Sequence, residues 1–348
     1  MDNIDLSSSV IPYPPRPYGG EGAQTVSHSA IDDEVEMSRD VVDELNARAC
    51  PLLFPTTKEV GVLRDFMKMK LKGKFKGEQL YHYTNCDVAK KLFEADADLW
   101  CTHYRFMNDS MEWLSGLELI SDILREEKYD EIADEVDLLP EKTGSSPWIT
   151  SFSTSYDKAS MWGMYCDRNT GGYAIGFNQL ELDRLITKKN MSSRDEYFLL
   201  PCIYDIDFAK KVLQYILEFH SDEDEHLRRE GAEHELMSMI LSRIFFLSLI
   251  VKHPSFDYEN EWRLIVRKHD AEPLDDERLQ LIYSNGNKEK PHIASDLFEK
   301  PLREYFSQIV VSPCGNIDDN YMFVDKKRVA HNLNDLLIKQ SSSPYNGR

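Results

Sequence analysis

Gln79-Leu80-Tyr81-His82-Tyr83-Thr84 alternates in character residue by residue, as a strand does, with His82 and Thr84 on one face and Tyr81 and Tyr83 on the other. A helix follows, capped at Thr84 or Asn85 and carrying Val88, Ala89, Leu92 and Phe93 along one side. Two later stretches share the period of two. Ser151-Phe152-Ser153-Thr154-Ser155 lies at the end of a strand predicted over 148–153, and Glu259-Asn260-Glu261-Trp262-Arg263 leads into one predicted over 262–267. On this pattern Glu259, Glu261 and Arg263 share a strand face, while Trp262 and Leu264 point the other way. Each of the three pieces can then project polar atoms from a sheet into one cleft.

Outward from these pieces, the apolar pattern predicts strands over 98–103, 172–177, 198–204 and 308–312. Asn108-Asp109-x-x-Glu112 reads as a capping box, opening a helix with Leu114, Leu117, Ile120 and Leu124 inward. A further helix is expected over 157–165. Residues 207–252 read as a helical insertion, interrupted by Asp222-Glu223-Asp224-Glu225. Its apolar run 244–251, between Arg243 and Lys252, is too short for a bilayer and reads as a buried helix. Residues 1–37 are rich in Ser, Pro and Gly and poor in aliphatics, the composition of a disordered leader. Residues 38–78 form a helical segment, 79–337 the main domain, and 338–348 a Ser-rich flexible tail.

The chain has 348 residues, 41% hydrophobic and 29% charged, enough to bury a substantial core. Its formal net charge of −20 repels phosphate backbones and anionic membranes, so a protein partner is favoured over nucleic acid and no membrane is expected. Arg64, Lys68, Lys70, Lys72, Lys74 and Lys76 form one basic run, read as a solvated face. The six cysteines, Cys50, Cys86, Cys101, Cys166, Cys202 and Cys314, lack Cys-x-x-Cys or zinc-ligand spacing and read as free thiols of a reducing compartment. His220, His226 and His234 miss the i, i+4 register of a helical metal pair, and no metal is expected. The N-terminus carries no cleavable signal, which places the chain in the cytoplasm; its leader also has the composition of a needle-type export signal.

Each motif also has a plain structural reading. A strand-end histidine with a capping threonine explains His82 and Thr84, core aromatics explain Trp162 and Tyr165, and a salt-bridge ladder explains Glu259, Glu261 and Arg263.

Taken in order, His-Tyr-Thr, Asn-Asp-x-x-Glu, Ser-Phe-Ser, Met161-Trp162-x-x-Tyr165, Gly176-Phe177 and Glu-x-Glu-Trp-Arg resemble a bacterial family of largely uncharacterised domains, and through it the ADP-ribosyltransferase superfamily. The resemblance runs from Leu80 to about Ser312. It implies an α+β fold, a split β-sheet core with helical insertions, and a cleft between two small sheets that binds NAD as substrate. His82 and Thr84 would hold the ribose hydroxyls, Ser153 and Ser155 would match the superfamily's Ser-Thr-Ser, and Trp162, or second Tyr165, would stack on the nicotinamide. Glu261 would be the catalytic carboxylate stabilising an oxocarbenium-like ribose, with Glu259 first of a Glu-x-Glu pair and Arg263 keeping Glu261 ionised. The implied activity is transfer of ADP-ribose to a macromolecular target, as in bacterial toxins, effectors and defence proteins. NAD glycohydrolysis and a non-catalytic binding module on the same fold stand as alternatives. The first position is His rather than the Arg of toxin-type enzymes, and the polymerase-type Gly-x-Tyr-Phe strand is absent.

Overall fold

The computed structural model describes residues 57–70, 78–107, 112–142, 147–218, 229, 231–268, 280–284 and 288–345. The leader, most of the 38–78 segment, Cys50, Lys72, Lys74 and Lys76, Asn108 and Asp109 of the capping box, His220, His226 and the 222–225 acidic patch lie outside these residues.

The elements run α1 (Thr57–Lys70), β1 (Gln79–Asn85), α2 (Cys86–Leu92), β2 (Trp100–His103), α3 (Glu112–Glu126), α4 (Asp130–Asp137), α5 (Leu139–Lys142) and β3 (Trp148–Ser153). Next come α6 (Ala159–Tyr165), β4 (Gly172–Asn178), α7 (Gln179–Ser192), β5 (Glu196–Pro201), α8 (Ile206–Glu218) and α9 (Glu233–Ser248). The chain continues with β6 (Glu261–Arg267), β7 (Gln280–Ser284), β8 (Lys288–Ala294), β9 (Phe306–Val311), α10 (Ile317–Ala330) and β10 (Leu337–Gln340). Asn residues set three of the helix starts. The Asn85 side chain accepts the Val88 N–H at 2.9 Å, and Asn178 and Asn316 do the same for Glu181 and Asp319.

The fold is α+β. Its strands form one mixed sheet in the order β10-β9-β4-β1-β3-β2-β8-β7, with β6 on the other edge of β3 and β5 beyond β6. The expected pair of small sheets is therefore one sheet with a fork. On one side β3 pairs with β6 over its whole length, from Trp148 opposite Val266 to Ser153 opposite Glu261. On the other side it meets β2 at its start, where Ile149 faces Thr102, and β1 only at its end, where Ser153 faces Tyr81. β1 and β2 thus part from each other along one edge of β3.

Alternation along the strands feeds two cores, one on each face. Tyr197 and Leu199 of β5 join Trp262 and Leu264 of β6 under α2, α7 and α10. Phe198, Leu200 and Ile265 face the helical layer of α1, α3, α4, α8 and α9. The 207–252 insertion supplies α8 and α9, and the apolar run is buried as expected, although α9 ends at Ser248. Gly116 lets α3 approach that end: a Cβ there would stand 2.5 Å from the Ser248 carbonyl oxygen. Beyond α9 the chain is bridged to 203, with Ile203 N–H on Ile250 O at 2.7 Å and Lys252 N–H on Ile203 O at 2.9 Å.

The segment before β6 departs from expectation. Glu259 ends a 3-10 turn, Pro254–Glu259, instead of extending the strand. Asn260 is left-handed, φ 44° and ψ 48°, and redirects the chain into β6 at Glu261. Its carbonyl accepts the Thr154 N–H at 3.1 Å and its side-chain amide donates to Ser155 Oγ at 3.2 Å, so the turn is fastened to the end of β3. The tail also departs from expectation. Leu337–Gln340 pairs parallel with β9, because residues 337–340 complete the sheet edge, and 341–345 continue as a strap over α6.

An Asn in the left-handed region is tolerated where a β-branched residue is strained. In denaturant unfolding, Asn260→Val should lose about 1–2 kcal/mol more than Asn260→Gly. Equal losses would show that the backbone conformation does not select the residue.

Candidate active site at the fork of the sheet

Where β1 and β2 part, the sheet opens a cleft. Tyr81, His82 and Tyr83 line it from β1, Trp100 and Thr102 from β2, and Ile149 to Phe152 from β3. Met161 and Tyr165 of α6 form one wall, and Lys252, Glu259 and Glu261 contribute the charged groups. Alternation would place His82 and Tyr81 on opposite faces; the fork lets residues of both faces meet one space.

His82 Nδ1 lies 3.1 Å from the Ser151 carbonyl oxygen. A carbonyl only accepts, so Nδ1 carries the proton and Nε2 is the ring's acceptor. Burial pushes the imidazole's pKa down, only partly offset by the Ser151 bond, which keeps the ring neutral. Its edge also packs on Phe152, ring centroids 6.0 Å apart. In this state Nε2 can accept a hydrogen bond.

The charged groups form a buried quartet. Lys252 Nζ donates to Glu261 Oε2 at 2.8 Å and to Glu259 Oε2. Arg263 grips Glu261 with two parallel bonds, Nε to Oε1 at 2.9 Å and Nη2 to Oε2 at 3.1 Å, and its Nη1 donates to the Leu249 carbonyl. The Cys202 thiol adds a weak donor to Glu261 Oε2 at 3.5 Å, and the Glu261 N–H reaches Tyr204 Oη at 3.0 Å. Two cations balance two anions, and all four side chains are under 10% exposed. Burial alone would raise the Glu261 pKa. The charges of Arg263 and Lys252, with their hydrogen bonds, overcome it and hold the carboxyl well below the usual carboxylate range.

The sequence-predicted residues divide on this geometry. His82, Glu259, Glu261 and Tyr165 line the cleft; Thr84, Ser153, Ser155, Trp162 and Arg263 do not. Trp162, the first choice for a stacking ring, is fully buried against Tyr83 at 4.8 Å, and its Nε1 donates to Asp157 Oδ1 at 2.8 Å. Helical periodicity turns Met161 and Tyr165 toward the cleft and Trp162 into the core. Ser153 is buried and its hydroxyl donates to the Glu259 carbonyl, while the Ser155 hydroxyl accepts from Asn260. Both serines fasten the Glu259 turn to β3. Arg263 stands behind Glu261 and keeps it charged, as its spacing in the sequence suggested. Glu259, expected on the same strand face, reaches the site through the Asn260 turn and its shared partner Lys252. Lys252 was not anticipated: in the sequence it is only the charge that ends an apolar run, and nothing local marks it as buried.

His234 is exposed on α9. Among the described residues no three His, Cys, Asp or Glu side chains group as metal ligands, the five described cysteines are free thiols, and no helix is long and apolar enough to cross a membrane.

The sign of the Glu261 shift fixes a pH dependence. An unfolded glutamate titrates near 4.5, and the folded value is lower, so the stabilisation is complete above about pH 5 and is lost as the pH falls below it. The unfolding midpoint should drop from about pH 5 downward, and Glu261→Gln should flatten that acid limb relative to the native chain. Parallel limbs would show that another carboxylate carries the effect.

A family described as "Protein of unknown function (DUF2971)" matches residues 161–264, from the cleft wall of α6 through Glu261 and Arg263 in β6. No curated protein matches the chain, and no solved structure does.

Proposed function

We propose that the cleft at the fork binds NAD and that the chain cleaves the bond between nicotinamide and ribose, passing ADP-ribose to a macromolecule. The observation that carries this reading is the meeting of His82, Tyr165 and Glu261, from three segments far apart in sequence, on one cleft. The roles follow from their chemistry. Neutral His82 accepts from a ribose hydroxyl. The Tyr165 ring offers a π face to the positively charged nicotinamide. Glu261, ionised at neutral pH, accepts from the hydroxyl of the reacting ribose and stabilises the cationic character that grows at C1′. As the C1′–N bond breaks, its electron pair moves to the pyridinium nitrogen and nicotinamide leaves neutral. An acceptor nucleophile bonds C1′ and gives up its proton to a base. Water as acceptor makes the same chemistry glycohydrolysis. With a chain charge of −20, a protein acceptor suits the surface better than nucleic acid.

One observation favours a second reading. Arg263 and Lys252 already neutralise Glu261, which suits a module that binds its ligand without turnover. The purified chain incubated with NAD, with and without cell lysate, separates the readings by nicotinamide release. Lysate-dependent release identifies a transferase and lysate-independent release a glycohydrolase; NAD binding without release identifies the module.

Glu261→Gln should lower nicotinamide release at least about a hundredfold, because the amide cannot supply the charge. An unfolding curve on the same preparation checks that the fold survives. Undiminished release by a folded variant would remove Glu261 from the reaction. Glu259→Gln should reduce transfer more than hydrolysis, since Glu259 borders the cleft from the turn and not from β6. Equal loss in both assays would assign Glu259 to NAD binding or to holding Lys252.

A further inference from the structure

The strap that follows β10 closes on the wall of the cleft. Leu337 to Gln340 run beside β9, and the Ser341 N–H continues the ladder to Val311 O at 2.9 Å. The chain then turns over the start of α6, where the Asp157 carboxylate takes four donors. Ser341 Oγ donates to Oδ1, the Ser342 N–H to Oδ2 at 2.7 Å, Ser342 Oγ to Oδ2 at 2.9 Å, and Trp162 Nε1 to Oδ1 at 2.8 Å. Tyr345 packs into the cluster of Tyr81, Tyr83, Met161 and Trp162. It lies over Gly163, where a Cβ would sit 3.6 Å from its hydroxyl oxygen. Tyr81, Tyr83 and Met161 of that cluster also line the cleft. Lys158, just before α6, donates to the Tyr258 carbonyl at 2.9 Å and so ties the same helix to the turn that carries Glu259.

We propose that residues 341–345 are a latch for the cleft, with Asp157 as the catch that holds it. α6 has seven residues, too few to be stable without what packs on it. The latch is held by the Ser341 N–H on β9, by hydrogen bonds to one carboxylate and by one ring, with Ser342 and Pro344 exposed, a composition that opens locally without unfolding the core. Opening it loosens α6, and with α6 the Met161 and Tyr165 wall. The cleft is therefore gated from the far end of the chain, and Asp157 is a positioning residue that acts through α6 without touching a ligand.

Amide hydrogen exchange on the full-length chain tests this without any ligand. Asp157→Asn removes the charge of the catch, and Ser342→Pro removes both the N–H and the hydroxyl that reach it. Each should speed exchange over 158–166 at least about fivefold while leaving 239–248 of α9 unchanged. Because the two variants share the Asp157–Ser342 contact, their effects in the double variant should fall short of multiplying. Unchanged exchange over 158–166 in either single variant, or effects that multiply in the double, would overturn the latch. Should Asp157→Asn loosen α9 as well, Tyr345→Ala decides, since it leaves every hydrogen bond of Asp157 in place: faster exchange confined to 158–166 supports the latch and its absence overturns it. The gating of NAD by the latch rests on the function proposed above, and is read as weaker NAD binding by the loosened variants. Failure of every form to bind NAD counts against that function alone, because the exchange data do not involve NAD.

Discussion

A strand edge can pair with one neighbour at a time, and β3 divides one of its edges between two strands. β2 takes the first residues and β1 takes the last, so the sheet must part between them. The opposite edge of β3 stays fully paired with β6, which keeps the parting from spreading and holds Glu261 beside Ser153. The cleft, the access of His82 to it and the placement of α6 all follow from this unequal sharing. A sheet with β1 paired along its full length on β3 would have no room for a ligand there.

Charge balance is the second condition. Four ionised side chains in a buried site are tolerated because each has opposite charge in contact, and removing one member leaves a partner stranded at about 3–5 kcal/mol. The same balance defines what Glu261 can do. Its proton is off at neutral pH, but two cations compete with any ligand for its oxygens. Lys252 bonds both carboxylates and so couples the one to the other. A ligand that draws either carboxylate toward itself redistributes the hydrogen bonds of the other.

Much of this was legible in the sequence where the signal is local. The strand over 148–153 matches β3, the Asn85 cap starts α2, and the same-face pair of Glu261 and Arg263 forms as its spacing implied. The α+β class was legible too. Signals that depend on chain reversal or on register were not. Glu259-Asn260-Glu261 alternates like a strand face, but the left-handed turn at Asn260 leaves Glu259 in the preceding 3-10 turn and starts β6 at Glu261, one residue before the expected Trp262. The strand expected over 198–204 lies at Glu196–Pro201, because β6, its partner, begins only at Glu261 after the Asn260 turn. Trp162 and Tyr165 differ by less than one helical turn, and which of them faces the cleft is set by how α6 lies on β1. The Ser-rich tail looked frayed because composition reports what a segment can bury, whereas this one is held by an exposed sheet edge and by a carboxylate far from it in sequence.

The contact between Gly116 and the end of α9 has a consequence for how the molecule tolerates change. It is backbone against backbone, with Ser248 O and Val251 O both within reach of the missing Cβ, at 2.5 and 3.0 Å. No side chain can be trimmed to relieve it, so the position of 249–252 is set by an atom that is not there. Leu249 supplies the carbonyl that holds Arg263, and Lys252 lies three residues on. Bulk added at 116, in a helix that never touches the cleft, would therefore be felt first as a displacement of the two cations that flank Glu261.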